Sequence, residues 1–267
     1  MQKIEIKGIG SYSKIWKSSE KGKVIKSFTY TEDEYPSIKE VIEREIKNYK
    51  IVQGSIFFPK FYGVIEENKI IRSIVIEECE ASLYNYINKN ISHNFKPKMD
   101  IFNNNKHRWV YQIIKTLQFM NSINFIHGDI SSINICVALP NEQKLRDIKF
   151  IDLGGCRDSK IGNHRWQCEE ALFVGKPNKK FDMYSVGAVL WEIESGEFPY
   201  EKYNPNEIDS IIKKGLKLTI SEEYKYKHII KLLLNMQQVP NLCEKCDKAE
   251  QLCEDCAKGG VFGSSPR

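Results

Sequence analysis

Apolar and polar positions alternate through residues 4–29 around a glycine-containing turn, which predicts a strand, a tight turn and two further strands. Ile38, Val41, Ile42, Ile46 and Tyr49 then recur at helical spacing and predict a helix from about Pro36 to Val52. Phe58–Val64 and Ile70–Ile76 read as two more strands that complete a small sheet, and Glu77-Glu78-Cys79-Glu80 reads as a connector. Past the connector the period becomes helical. Ala81–Ile87 begins a helix with Ser82 as its cap, and the Asn/Lys-rich residues 90–107 read as a loop. Trp109, Ile113, Ile114, Leu117 and Met120 share one helical face and predict a core helix. Two short strands are expected around a turn at Pro140–Gln143, and helical spacing returns at Ile208, Ile211 and Ile212 and at Ile229, Ile230, Leu232 and Leu233.

With 267 residues, 41% hydrophobic and 28% charged, the chain can bury the core of one large domain or of two packed lobes. The net charge of +5 is dispersed, which argues against a nucleic-acid arm or a membrane patch as partner surface. The start, Met1–Glu5, lacks a signal-peptide centre, and no run approaches the ~18 apolar residues of a membrane span. An intracellular, cytoplasmic protein is expected. Of the eight cysteines, Cys79, Cys136, Cys156 and Cys168 are scattered and four crowd into the last segment, unlike a secreted disulfide framework.

Candidate chemistry lies in Ile126-His127-Gly128-Asp129-Ile130-Ser131-Ser132-Ile133-Asn134 and in Phe150-Ile151-Asp152-Leu153-Gly154. An acid, an amide and a second acid behind another apolar run suit Mg²⁺ and a polyphosphate. Asp129 can orient a hydroxyl, while Asn134 and Asp152 can offer hard oxygen ligands. These segments resemble the catalytic and metal-binding loops of the eukaryotic-type protein kinases, H-R-D-L-x-x-x-x-N followed by D-F-G. Further matches follow in the family's order over residues 4–238. Val24-Ile25-Lys26 resembles V-A-I-K, Cys168–Leu172 stands at A-P-E, and Phe181–Gly187 resembles D-x-W-S-x-G, with Gly196–Tyr200 continuing the pattern.

The resemblance implies an α+β, two-lobed protein-kinase-like fold with a small mainly β N-lobe and a larger mainly α C-lobe. The kinase domain would span residues 1–238, as an N-lobe over 1–78, a connector over 77–81 and a C-lobe over 81–238, with a Cys-rich tail over 239–267. It also implies ATP and Mg²⁺ as cofactors and a protein substrate. Lys26 would grip the nucleotide phosphates, and Glu45, preferred to its rival Glu43, would hold Lys26. Gly8, Gly10, Ser13 and Ile15 would cover the phosphates, Glu77 and Cys79 would meet the base through backbone groups, and Asp182 would be buried beneath the catalytic loop.

Several positions depart from the pattern of a serine/threonine kinase. Gly128 replaces the arginine before Asp129, which makes the chain a non-RD member and predicts activity independent of loop phosphorylation; Ser159 is the only hydroxyl residue between Gly155 and Cys168. Ser131 stands where a lysine is usual, Asn163 where a threonine is, and Ser13 where a third loop glycine is. Glu170 lacks its late arginine partner, so it is expected either to be solvated or to use Arg165.

The tail carries Cys243-Glu-Lys-Cys246 and Cys253-Glu-Asp-Cys256. Two C-x-x-C pairs offer the four thiolates that tetrahedral Zn²⁺ takes, although the interval between them is shorter than in familiar zinc modules. Reduced thiols in an unstructured tail, or a redox pair, are the other readings, and Gly259–Arg267 reads as a flexible end. For the whole chain, a pseudokinase and a small-molecule phosphotransferase of the aminoglycoside or choline kinase type are the alternatives. Gly128 suits the latter, whereas residues 170–200 suit a protein kinase. Retention of Lys26, Glu45, Asp129, Asn134 and Asp152 together favours transfer of the γ-phosphoryl group to a protein hydroxyl, with serine or threonine expected.

Overall fold

The computed structural model describes residues 1–9, 13–87, 95–141, 145–154, 164–174 and 176–259. The chain gathers into two compact units, Met1–Ala81 with Cys136–Gly154, and Ser82–Ile135 with Gly155–Arg267. Asp129 and Asp152 therefore belong to different units.

The first unit is built on an antiparallel sheet of β1 (Lys3–Ile9), β2 (Ser13–Ser18), β3 (Lys23–Phe28), β4 (Phe61–Glu67) and β5 (Ile70–Glu77), in the order β1-β2-β3-β5-β4. The inner strands β3 and β5 bury consecutive residues, Val24 to Ser27 and Ser73 to Ile76, as strands covered on both faces must. Phe58, expected to open β4, precedes it and is core, with its ring 6.3 Å from that of Phe150. Helix α1 (Tyr35–Ile51) carries Pro36 in its first turn, where a missing N–H costs nothing. It buries Ile42, Glu45, Ile46 and Tyr49, a single face at helical spacing. A smaller sheet joins β6 (Cys79–Ser82), β7 (Ile135–Ala138) and β8 (Ile148–Phe150) in that order, with most of its residues in this unit.

The second unit is helical. It contains α2 (Tyr84–Ile87), α3 (Phe95–Ser122), α4 (Glu169–Val174), α5 (Lys179–Ser195), α6 (Ile208–Lys213), α7 (Lys227–Leu234), α8 (Glu244–Ala249) and α9 (Glu254–Ala257). The loop expected over residues 90–107 is wrong from Phe95 onward, where α3 has already begun. Phe102 of its early turns packs on Trp109, with ring centroids 6.1 Å apart. Ser82 does not cap α2 either. It ends β6, while the amides of Leu83 and Tyr84 donate to the carbonyls of Ile135 and Ser132.

Trp109, Ile113, Ile114, Leu117 and Met120 of α3 are all buried, as their shared face predicts. Helix α5 is buried from Asp182 to Ile193, capped by Asn178 and closed by Gly196 at φ +68°. At Gly187 a Cβ would lie 3.0 Å from both Leu233 Cβ and the Leu234 amide nitrogen, so the absent side chain is what lets α7 pack this closely. Among the described residues, no helix is long and apolar enough to cross a membrane.

Candidate active site

In the sheet unit, Lys26 lies on β3 opposite Ile15 of β2 and Ile74 of β5, so its ammonium emerges from a strand fixed on both sides. Its Nζ lies 2.6 Å from Glu45 Oε1 and 2.8 Å from Asp152 Oδ1. Lys26 and Glu45 are almost fully buried, at 7% and 3% exposure. Burial alone would discharge Lys26, but the two carboxylates outweigh it and raise its pKa. Burial, reinforced by Asp152, raises the Glu45 carboxyl and only partly yields to Lys26. Asp152 has φ +61°, a left-handed conformation that aspartate tolerates better than most residues. The next turn is tied to α1, because Asn48 Nδ2 donates to the Leu153 carbonyl at 2.6 Å. Glu43 takes no part; its carboxylate lies 3.7 Å from Lys39 on the outer face of α1.

In the helical unit, two buried acids of α5 hold the Asp129 loop. Asp182 accepts the His127 amide through Oδ2 at 2.7 Å and the Gly128 amide through Oδ1 at 2.9 Å. Further along, Glu192 accepts the Ser132 hydroxyl at 2.8 Å and the Trp166 indole N–H at 3.0 Å. Burial pushes Asp182 up to about 7 against its two amide bonds, and Glu192 up to about 8 against its two donors. Between these anchors, Asn134 Nδ2 donates to the Asp129 backbone carbonyl at 2.9 Å and to Asp129 Oδ2 at 2.8 Å. Because both partners are acceptors, the amide's NH₂ end is committed to Asp129 and its oxygen is the end that can face a cation. The Asp129 amide donates to His127 Nδ1, which makes that ring nitrogen the unprotonated one.

The profile of the protein tyrosine and serine/threonine kinases matches residues 7–241. The chain belongs to this protein kinase family. A probable serine/threonine-protein kinase of Dictyostelium discoideum is 30% identical over 73% of this chain and 11% of that protein. A probable LIM domain-containing serine/threonine-protein kinase of the same organism is 24% identical over 92% of this chain and 38% of that protein. A serine/threonine-protein kinase of Arabidopsis thaliana is 26% identical over 55% of this chain and 27% of that protein. The kinase thus spans well under two thirds of the length of each of these relatives.

The departures from the family pattern acquire local causes. Gly128 has φ +78°, a conformation that would strain an arginine there. Ser131 is fully buried, and its hydroxyl accepts the Asn134 amide at 3.2 Å, so it serves the turn inside the loop. Glu170 is exposed, in line with the solvated alternative, and Arg165 instead donates to the carbonyls of Pro199 and Tyr200 at 2.8 and 2.7 Å. Ser159 and Asn163 lie outside the described residues, as does Gly10. Gly8 pairs with Ile15 across β1 and β2, where a Cβ would make only ordinary contact, and Ser13 opens β2. Glu77 Oε2 accepts the Lys60 amide at 3.0 Å and pairs with Lys149 at 3.1 Å, while the Cys79 carbonyl accepts Lys7 Nζ at 3.3 Å.

Glu192 went unrecognised as a positioning residue in the sequence. The available signal was a carboxylate inside the apolar run Val186–Ile193.

Proposed function

We propose that this kinase transfers the γ-phosphoryl group of Mg-ATP to a protein hydroxyl, serine or threonine, in the cytoplasm. The single observation that carries the reading is Lys26 held between Glu45 and Asp152. A lysine fixed in its charged form, with two carboxylates limiting its freedom, is prepared to meet phosphate oxygens. In this reading Lys26 orients the nucleotide phosphates and Glu45 keeps Lys26 in place. Asn134, through its amide oxygen, and Asp152 are the hard donors that would hold Mg²⁺. When bound, the metal supplies charge neutralisation at the phosphates. Asp129, steadied by Asn134, accepts the proton of the acceptor hydroxyl as the new phosphate ester bond forms. The relatives named serine/threonine-protein kinases support that acceptor class. The cofactor set includes Zn²⁺ on Cys243, Cys246, Cys253 and Cys256, whose sulfurs lie within 4.8 Å of one another.

Incubation with Mg-ATP carrying a labelled γ-phosphate against mixed proteins, peptides and amino sugars tests the reading, with Asp152→Ala as control. Labelled serine or threonine in protein, lost in the control, is the expected result. Nucleotide binding without transfer would favour a pseudokinase, and labelled sugar a small-molecule kinase. Asp129→Asn should lower turnover by about 10²–10⁴-fold and change nucleotide affinity little. Equal losses in both would remove Asp129 from the proton-accepting role.

A further inference from the structure

The kinase profile ends at residue 241, and the described chain continues folded to Gly259. This continuation packs onto α3 along a face distinct from the core one. Leu252 N–H donates to the His107 carbonyl at 3.2 Å, Arg108 pairs with Glu250 at 2.7 Å, and Tyr111 and Lys115 each reach Asp247 Oδ1 at 3.1 Å. Gln118 completes the stripe by donating to the Pro240 carbonyl at 2.6 Å. Positions 107, 111, 115 and 118 recur at one helical turn each, so one side of α3 faces the continuation while another faces the core.

The segment has few apolar side chains of its own to hold it in shape. Helix α8 has six residues and α9 four, far below the ~12–15 at which isolated helices become stable. Its buried apolar side chains amount to Leu252, Ala257 and the two thiols Cys246 and Cys256. The four sulfurs instead have the spacing of a metal centre. Cys243 Sγ lies 3.8 Å from Cys246 Sγ and 3.6 Å from Cys253 Sγ. Tetrahedral Zn–S bonds of about 2.3 Å place thiolates about 3.8 Å apart, whereas a disulfide needs about 2.05 Å. Backbone amides point at the sulfurs as well: Cys253 N–H donates to Cys246 Sγ at 3.3 Å and Cys256 N–H to Cys253 Sγ at 3.5 Å. Four protein sulfurs fill a tetrahedral shell and leave no position for a substrate, so the centre is structural.

We infer that the four-cysteine centre is a Zn²⁺ staple that completes the C-lobe by clamping residues 240–257 onto the outer face of α3. The inference rests on the Zn²⁺ reading above and adds that the metal stabilises the lobe, not the tail alone. Metal analysis of the full chain after reductive purification should give one zinc per chain. Co²⁺ substitution should give the charge-transfer and d–d bands of a tetrahedral tetrathiolate. A zinc-selective chelator, added without nucleotide, should lower the melting temperature by about 5–10 °C and increase hydrogen exchange in both 243–257 and α3. Cys246→Ser should lose the metal, and Asp247→Ala should retain it while reproducing part of the exchange increase in α3. Absence of stoichiometric zinc, or iron in its place, would overturn the metal reading itself. Zinc present, with chelation loosening only 243–257 and leaving the melting temperature and α3 unchanged, would overturn the staple and leave the metal reading standing.

Discussion

The two units each hold buried carboxylates, and the partners that meet them differ in kind. In the sheet unit Glu45 faces a full positive charge, with Lys26 Nζ at 2.6 Å. In the helical unit Asp182 and Glu192 face only dipoles: two backbone amides for the first, a hydroxyl and an indole for the second. Burial raises all three carboxyls, and only at Glu45 does a full cation work against the rise. A buried acid met only by neutral donors is held less firmly in its charged form, and here both such acids are raised into or near the physiological range. The comparison separates a carboxylate that holds a buried cation from carboxylates that fix loop geometry.

The largest effect is expected where charge meets charge. Lys26→Met leaves Glu45 and Asp152 without their shared cation and should destabilise the protein by about 3–5 kcal/mol, measured by urea unfolding at neutral pH. Phosphoryl transfer should be lost with it. Protonation of the stranded Glu45 would soften the stability cost at low pH, so the penalty should shrink as the pH falls toward 5. A stability unchanged by Lys26→Met would mean that the pair contributes nothing net to the fold.

An intermediate effect is expected at Asp182. Asp182→Asn keeps one acceptor oxygen but turns an NH₂ group toward one of the two amide donors, at a cost of about 1–3 kcal/mol. Its sign with pH distinguishes it from the lysine cluster. The carboxyl is raised from its ordinary value to about 7 in the folded chain, so the folded state holds a proton that the unfolded chain releases near pH 4. Stability associated with this group is complete below pH 4 and is lost as the pH rises through about 7. Wild-type unfolding free energies between pH 5 and 8 should therefore fall more steeply than those of Asp182→Asn. Parallel profiles would show that the amide bonds already hold Asp182 ionised throughout.

Much of this arrangement was legible in the chain, and the reasons differ by residue. Glu45 could be preferred to Glu43 because helical spacing ties it to Ile42, Ile46 and Tyr49, and those residues do share the buried face of α1. Asp182 could be placed because it sits in a recognisable motif in the first turn of an apolar helix. The start of α3 could not, since Asn103, Asn104, Asn105 and Lys106 interrupt any apolar period there. His107, Arg108, Tyr111 and Lys115 look like ordinary solvent-facing residues until residues 240–252 cover them. Glu192 was hidden for the converse reason, as a charge within an apolar run whose donors, Ser132 and Trp166, are 60 and 26 residues away in sequence. Gly128, whose place in the pattern suggested a regulatory difference, has a backbone reason visible only in its φ of +78°.

The smallest effect, and the most specific to the neutral-donor anchor, is expected at Ser132. Ser132→Ala removes one of the two donors to Glu192 and should cost about 1–2 kcal/mol. That hydroxyl lowers the Glu192 pKa, so its removal moves the carboxyl further up from about 8. Below that value the acid is protonated in the folded state, and the missing donor matters least. Above it, the variant must either bury a charge with only the Trp166 indole as partner or retain a proton that the unfolded chain has released. The stability difference between wild type and Ser132→Ala, read from urea unfolding, should therefore be larger at pH 9 than at pH 6. An equal difference at both values would show that Glu192 does not change protonation between them.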